Sequence, residues 1–302
     1  MNKYMKVLIA GWFSFEQMGA TAGDLYSKDI VCRWLDNENI PYDVAFDGPF
    51  QGGVKWKDVS SEHYSHVIFL CGPFGNGWPV TDFLDYFPDV KLIGINLSML
   101  QALEEWNPFD LLLERDSTRR IFPDLVFLSE KPRVPVVGLV LVEPQKEYGD
   151  KACHYDANKA ISDFLSKQHC AVVPIDTRLD VPNKGGLKFP EEIESLIARM
   201  DMVITTRLHG MVLALKNSVP ALAIDAIKGG AKITKQAQAV QWPNVINIDL
   251  LTEQTIKEGF QYCFTEEARM KTIECKKLAI KKLNQHEKIF NDFLGASQWQ
   301  GS

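Results

Sequence analysis

At 302 residues and 34.2 kDa the chain exceeds the size at which one hydrophobic core usually stops growing, so two domains are expected. A 46% hydrophobic and 24% charged composition excludes a disordered chain, and no apolar run reaches the roughly 18 residues needed to span a bilayer. The formal net charge of −6 and pI near 5.6 exclude broad nucleic-acid binding, although a small basic pocket remains compatible with them.

The opening stretch MNKYMKVLIAGWF reads as a first strand rather than a signal peptide: its apolar part is short and no small-residue cleavage site follows. The cytoplasm is therefore the expected compartment. A glycine-bearing loop leads to a helix over LYSKDIVCRWLDNE, and YDVAFDG, HVIFLCGP, KLIGINLS and DLLLERD supply further strands. SEKPRVP, residues 129–135, interrupts the pattern with two prolines and three charges, and sets the expected domains at 1–130 and 131–302.

The cycle then restarts. VVGLVLVE, CAVVPID, DMVITT, ALAID and NVINID read as strands, with helices across YDANKAISDFLSKQ, PEEIESLIARM and GMVLALKNS. Alternation of short apolar runs with helical patterns predicts an α/β chain of two doubly wound domains, with a ligand cleft between them. A Lys-rich helix, roughly Glu266 to Phe293, closes the chain; KKLAIKK reads as its solvated face, with contact to anionic lipid as the alternative. The six cysteines, scattered and without a C-x-x-C pair, read as packed thiols, and the histidines form no cluster of metal-binding spacing, so no metal is expected.

DMVITTRLHGMVLALKNSVPALAIDAIKGG concentrates the chemistry. Arg207 and His209 fall where a buried parallel strand turns into a helix, at the carboxyl edge of the sheet and at a helix amino terminus, where unpaired N–H groups favour anions. Arginine there offers a permanently charged fork for phosphate or carboxylate, and histidine a proton that moves near neutrality. The next strand ends at Asp225, and Lys228 follows in another carboxyl-edge loop. Structural pairing is the alternative for each residue alone; their convergence on one sheet edge favours an anion site.

ITTRLHGMVLALKNSVPALAIDAIKGGAK resembles the C-terminal signature of the polysaccharide pyruvyl transferases, with Arg207, Leu208, His209, Pro220 and Lys228 in place. GWFSFEQMGATAGDLYSKDI resembles that family's first loop at Gly23 and Asp24, with Thr21 where asparagine is usual. LLLERDSTRRIF resembles its Arg-Asp/Glu-x-Ser element at Arg115, Asp116 and Ser117. HVIFLCGPFGNG stands in place of a glycine-rich loop, with Cys71 and Pro73 interrupting the glycines.

The resemblance implies a GT-B-like fold of two Rossmann-like domains, and an enzyme that transfers a pyruvyl unit from phosphoenolpyruvate to sugar hydroxyls as a cyclic ketal. The setting it implies is exopolysaccharide or other cell-envelope glycoconjugate synthesis. Arg207, Lys228 and backbone N–H groups near Leu208 to Gly210 are expected to hold the donor, and His209 to act as general acid or base. Arg115 is expected either on the donor phosphate or in a domain-interface salt bridge, with Ser117 as a hydrogen-bond donor. Asp24 is expected either on the acceptor sugar, as binder or base, or as cap of the helix beginning near Leu25; Gly23 permits the turn. No cofactor beyond the donor substrate is implied, and the acceptor is a sugar or oligosaccharide, lipid-linked in one version that would place the enzyme at the inner membrane surface. A nucleotide-sugar glycosyltransferase and an inactive glycan- or anion-binding relative are the alternatives. Trp12, Trp56 and Trp78 read as core packing or as platforms for sugar rings.

Overall fold

The computed structural model describes residues 5–142 and 146–297. The chain divides into two compact units, Met1–Pro132 and Arg133–Ser302. Residues 1–4 of the expected first strand, and Glu143 at the end of VVGLVLVE, lie outside the described residues.

Runs rich in Val, Ile and Leu become strands in the first unit because branched side chains suit a pleated surface covered on both faces. Its elements are β1 (Val7–Gly11), α1 (Ala22–Asn37), β2 (Tyr42–Val44), β3 (His66–Leu70), β4 (Pro73–Phe74), α2 (Val80–Tyr86), β5 (Lys91–Ile95), β6 (Ser98–Met99) and β7 (Leu111–Leu113). Five of the strands form a parallel sheet in the order β2-β1-β3-β5-β7, while β4 and β6 pair separately. Along β1 the side chains alternate: Leu8 and Ala10 join an aromatic core with Phe15, Trp56, Phe69, Phe74 and Phe83, whereas Val7 and Ile9 join Phe13, Val31 and Ile68.

The second unit contains β8 (Val136–Val140), α3 (His154–Leu165), β9 (Ala171–Pro174), α4 (Pro190–Ile197), β10 (Met202–Thr205), α5 (Leu208–Lys216), β11 (Ala221–Asp225), α6 (Lys232–Val240), β12 (Val245–Asn247), α7 (Glu253–Tyr262) and α8 (Glu266–Ser297). Its sheet is also parallel, in the order β12-β11-β10-β8-β9. Val203, Ala221 and Ala223 face one core, against which α4, α5, α6 and α8 pack. Met202, Ile204, Leu222 and Ile224 face the other, with α3 and α7. Each unit is thus a Rossmann-like, doubly wound sheet, as expected.

Both sheets reverse direction once. The chain steps from β1 outward to β2 and returns on the other side with β3; in the second unit it steps from β8 to β9 and returns with β10. Connections leaving the carboxyl ends of β1 and β3, or of β8 and β10, therefore diverge and open a crevice. No helix among the described residues is long and apolar enough to cross a membrane.

Local chemistry moves several expected boundaries. The first strand stops at Gly11 because the Ser14 hydroxyl accepts the Gly11 N–H at 3.1 Å and donates to the Ala45 carbonyl, turning Trp12–Ser14 into a single 3-10 turn. Helix α1 starts at Ala22, not near Leu25, because Thr21 and Asp24 form a capping box. Helix α6 escapes a reading by apolar runs: of its nine residues it buries only Ile233, Ala237 and Val240.

Gly210 makes the β10–α5 turn possible. A Cβ there would overlap Thr205 Oγ1 and lie 2.9 Å from Val140 Cγ1. Gly210→Ala is expected to cost about 1–3 kcal/mol by forcing α5 off the sheet, read as a lower denaturation midpoint at unchanged slope.

Just after β7, the fully buried Glu114 carboxylate pairs with Arg119 at 2.7 Å and Arg120 at 3.3 Å. Burial alone would raise its pKa, yet hydrogen bonds from Arg119, backbone and Ser117 bring it from 4.5 down to about 2. A depressed carboxyl contributes stability that is complete above its unfolded value and lost as pH falls through its folded one. Between pH 4.5 and 2, urea-unfolding free energies are thus expected to fall more steeply in the wild type than in Glu114→Gln.

Candidate functional site

At the carboxyl edge of the second sheet, the Thr205 hydroxyl organises the turn into α5. It accepts the Arg207 N–H at 2.9 Å and lies 2.9 Å from the carbonyls of Val140 and Arg207, to one of which it donates. Arg207 thereby occupies the N-cap position with extended backbone, and Leu208, His209 and Gly210 form the first turn of α5. Leu208 is half-buried against the core, His209 is exposed and Gly210 is buried. The Gly210 N–H donates to the Arg207 carbonyl at 3.1 Å, whereas the first N–H groups of a helix, here those of Leu208 and His209, have no carbonyl partner within it, so this turn presents donors beside a guanidinium.

The Arg207 side chain is half-buried, and its Nε is buried without a hydrogen-bond partner among the described residues. A guanidinium N–H withdrawn from water and left unbonded costs free energy unless a ligand supplies the acceptor. Strand β11, paired with β10, leads to exposed Lys228, whose N–H donates to the Lys151 carbonyl at 3.0 Å. The neighbouring Gly229 N–H is held by Asp249 at 2.8 Å. Asp225 is not part of this polar edge, because its carboxylate accepts from the Ala231 and Thr234 N–H groups and the Thr234 hydroxyl and so starts α6.

The sequence reading missed the connection after β9. There Arg178 grips Asp180 through two bonds, at 3.0 and 2.8 Å. Hydrogen bonding from Arg178 holds the Asp180 carboxyl below its ordinary value, and the charge of Arg207 adds to the effect, which brings this loop into the electrostatic field of Arg207. Thr177 Oγ1 in the same loop is buried without a partner among the described residues. The available signal was DTRLD following a strand at the same sheet edge.

In the first unit, a cavity of about 490 Å³ opens at the divergence of the β1 and β3 connections. It gathers Gly23 and Asp24 from the start of α1 and Arg115 from the stretch after β7, together with Trp12, Asn96 and Asp124. The Trp12 Nε1–H is buried and unpaired among the described residues. Gly72, with φ +73°, is required beside it, since a Cβ would overlap that nitrogen. Cys71 takes a left-handed φ of +63°, the conformation a glycine-rich loop would supply without strain.

Three of the expected residues prove to be internally engaged. Asp24 Oδ2 accepts from the N–H and hydroxyl of Thr21, both at 2.7 Å, so Asp24 closes a capping box from inside the helix instead of serving as its N-cap. Arg115 donates to Asp124 at 2.8 Å, Ser98 at 2.6 Å and Asp116 at 3.3 Å, all within its own unit. Ser117 does not line the cavity: its hydroxyl donates to Glu114 and accepts the Arg119 N–H.

Among solved structures, the chain is similar to the calicheamicin glycosyltransferase, with 12% identity, a TM-score of 0.37 and coverage of 98% of this chain and 99% of that one. It is also similar to the UDP-GlcNAc 2-epimerase of Methanocaldococcus jannaschii, with 11% identity, a TM-score of 0.32 and coverage of 87% and 94%. A spinosyn rhamnosyltransferase complexed with thymidine diphosphate follows, with 9% identity, a TM-score of 0.34 and coverage of 91% and 96%. No curated protein matches the sequence significantly. Residues 109–226, which include Arg115, Ser117, Arg207, Leu208, His209 and Gly210, match the family model for polysaccharide pyruvyl transferase.

Proposed function

We propose that the protein transfers a pyruvyl unit from phosphoenolpyruvate to hydroxyls of a sugar, forming a pyruvate ketal in a polysaccharide or glycoconjugate made in the cytoplasm. The observation that carries this reading is Arg207: a guanidinium at the switch point of the second sheet and at a helix amino terminus, its Nε buried and unbonded among the described residues, inside the family match. Phosphoenolpyruvate bears a phosphate and a carboxylate on one three-carbon frame and therefore needs closely spaced cations.

In this reading Arg207, Lys228 and the N–H groups of Leu208 and His209 at the start of α5 hold the two anions, the Gly210 N–H being taken by the Arg207 carbonyl, and the second unit is the donor side. His209 hands a proton to the donor methylene or removes one from an attacking hydroxyl. Protonation of the methylene makes it a methyl group and leaves the adjacent carbon electron-poor. One sugar hydroxyl adds there and loses its proton, the carbon–oxygen bond to phosphate breaks, and a second hydroxyl closes the ketal. The first unit is the acceptor side, with Asp24, Gly23 and the Trp12 N–H at its cavity. Arg115, held through each of its three nitrogens by Asp116, Asp124 and Ser98, shapes that cavity instead of binding donor phosphate.

Incubation with phosphoenolpyruvate and a glycan panel is expected to release phosphate and add a pyruvyl mass to one sugar. If UDP- or GDP-sugars raise thermal stability while millimolar phosphoenolpyruvate does nothing, the reading fails. Arg207→Ala is expected to lower kcat/KM by roughly a hundredfold or more. His209→Gln is expected to lower kcat by about 10²–10⁴-fold while phosphoenolpyruvate affinity stays within a few-fold, measured by calorimetry.

A further inference from the structure

The three tryptophans singled out in the sequence have three different fates. Trp12 lies at the cavity already described. Trp56 is core, 6% exposed and packed edge-on against Phe83 at 5.3 Å, Tyr86 at 5.5 Å and Phe15 at 5.9 Å. Trp78 is 74% exposed, yet it borders a second cavity of about 460 Å³. An indole left in water at the mouth of a formed cavity wastes apolar surface unless something covers it.

The two cavities share a wall. The connection from β1 to α1 sends Trp12, Gly19 and Thr21 into the first and Phe15 and Glu16 into the second, and Met18 lines both. A chain of linked rings with its reacting end in the first cavity reaches the second by crossing Met18.

The remaining lining decides what kind of ring fits. Asp47 is paired with Lys55 at 3.7 Å, and Lys57 lies 5.0 Å from the Trp56 ring centre. Glu16, Asp58 and Asp82 complete the polar wall, so carboxylates outnumber ammonium groups. Carboxylates accept hydrogen bonds from hydroxyls and repel anions, and an indole face attracts the apolar C–H face of a pyranose.

We infer that this second cavity is a subsite for a further sugar of the acceptor, an uncharged or amino pyranose stacked on Trp78 with its hydroxyls on Glu16, Asp58 and Asp82. The inference rests on the acceptor reading of the first unit. It makes the acceptor an oligosaccharide, and it makes the residue next to the modified one free of carboxylate or sulfate.

The test is calorimetric titration of the full chain, without donor, with neutral hexose and N-acetylhexosamine tetrasaccharides and with an oligogalacturonide of equal length. At least one neutral tetrasaccharide is expected to bind, with Trp78→Ala weakening it about tenfold, Trp78→Phe retaining most of the affinity, and the oligogalacturonide binding at least about tenfold more weakly. Wild-type affinity in Trp78→Ala, preference for the oligogalacturonide, or no binding of any neutral tetrasaccharide overturns the subsite. Circular dichroism melting checks the fold of Trp78→Ala; should it melt early, the exposed Asp82→Asn carries the test, with a loss of about threefold expected and none overturning it. A thermal shift with phosphoenolpyruvate on the same preparation separates the two readings. Donor binding without a Trp78 effect removes only the subsite, and a Trp78 effect without donor binding removes only the transferase.

Discussion

Both principal sheets are built wholly from parallel strands, and this one constraint places the chemistry of the protein. Parallel strands cannot be joined by tight hairpins, so every return passes through a crossover, and all carboxyl ends gather on one edge of each sheet. Burial on both faces then requires strand interiors such as Val7–Gly11 and residues 221–224 to be apolar throughout, with the buried Asp225 only at the strand's end. Polar groups that act on a ligand are left with the edge, and the crevice opens where the order of strands reverses.

At those edges the backbone is held closer than side chains would normally permit. Gly210 lets the first turn of α5 sit on Thr205 and Val140, and Gly72 lets the β3 connection pass over the Trp12 indole. Cys71 and Asn96, with φ of +63° and +58° at the ends of adjacent strands, accept a left-handed conformation at the rim of the same cavity. Asn96 is held there by its side chain, whose Oδ1 accepts the Leu125 N–H at 3.1 Å. Strain of this kind persists where surrounding packing over-determines it, and here the packing is that of a cavity wall.

Hydrogen bonding separates Arg207, expected on the donor, from Arg115, for which a salt bridge was the alternative to donor binding. Arg115 has an acceptor for each side of its guanidinium, and those bonds, chiefly to Asp124, push its pKa above the ordinary value. Arg207 has a buried Nε with no acceptor among the described residues and a helix amino terminus behind it. A satisfied cation rigidifies its surroundings, whereas an unsatisfied one waits for an anion. Arg115 is thus held in the wall of the first cavity, whereas Arg207 keeps a buried donor without an acceptor among the described residues.

Much of this was legible in the sequence because apolar periodicity reports burial directly. ALAID and DMVITT announce strands, RLHG marks a strand-to-helix turn, and all three lie in the span that matches the family model. Helices such as α6, which bury few residues, left too faint a pattern, and the loop bearing Thr177 and Arg178 reads as ordinary polar connection. What the sequence determined by itself was the class of fold and the residues at the strand ends, since alternation and helix starts are local properties of the chain. Only the tertiary structure decided which of those residues are satisfied: that Ser117 turns to Glu114, that Arg115 is spent within its unit, that Trp56 is core while Trp78 stands in water. The reason is that hydrogen-bond saturation and burial are set by groups from distant segments, such as Ser98 and Asp124 around Arg115, whose convergence no local pattern encodes.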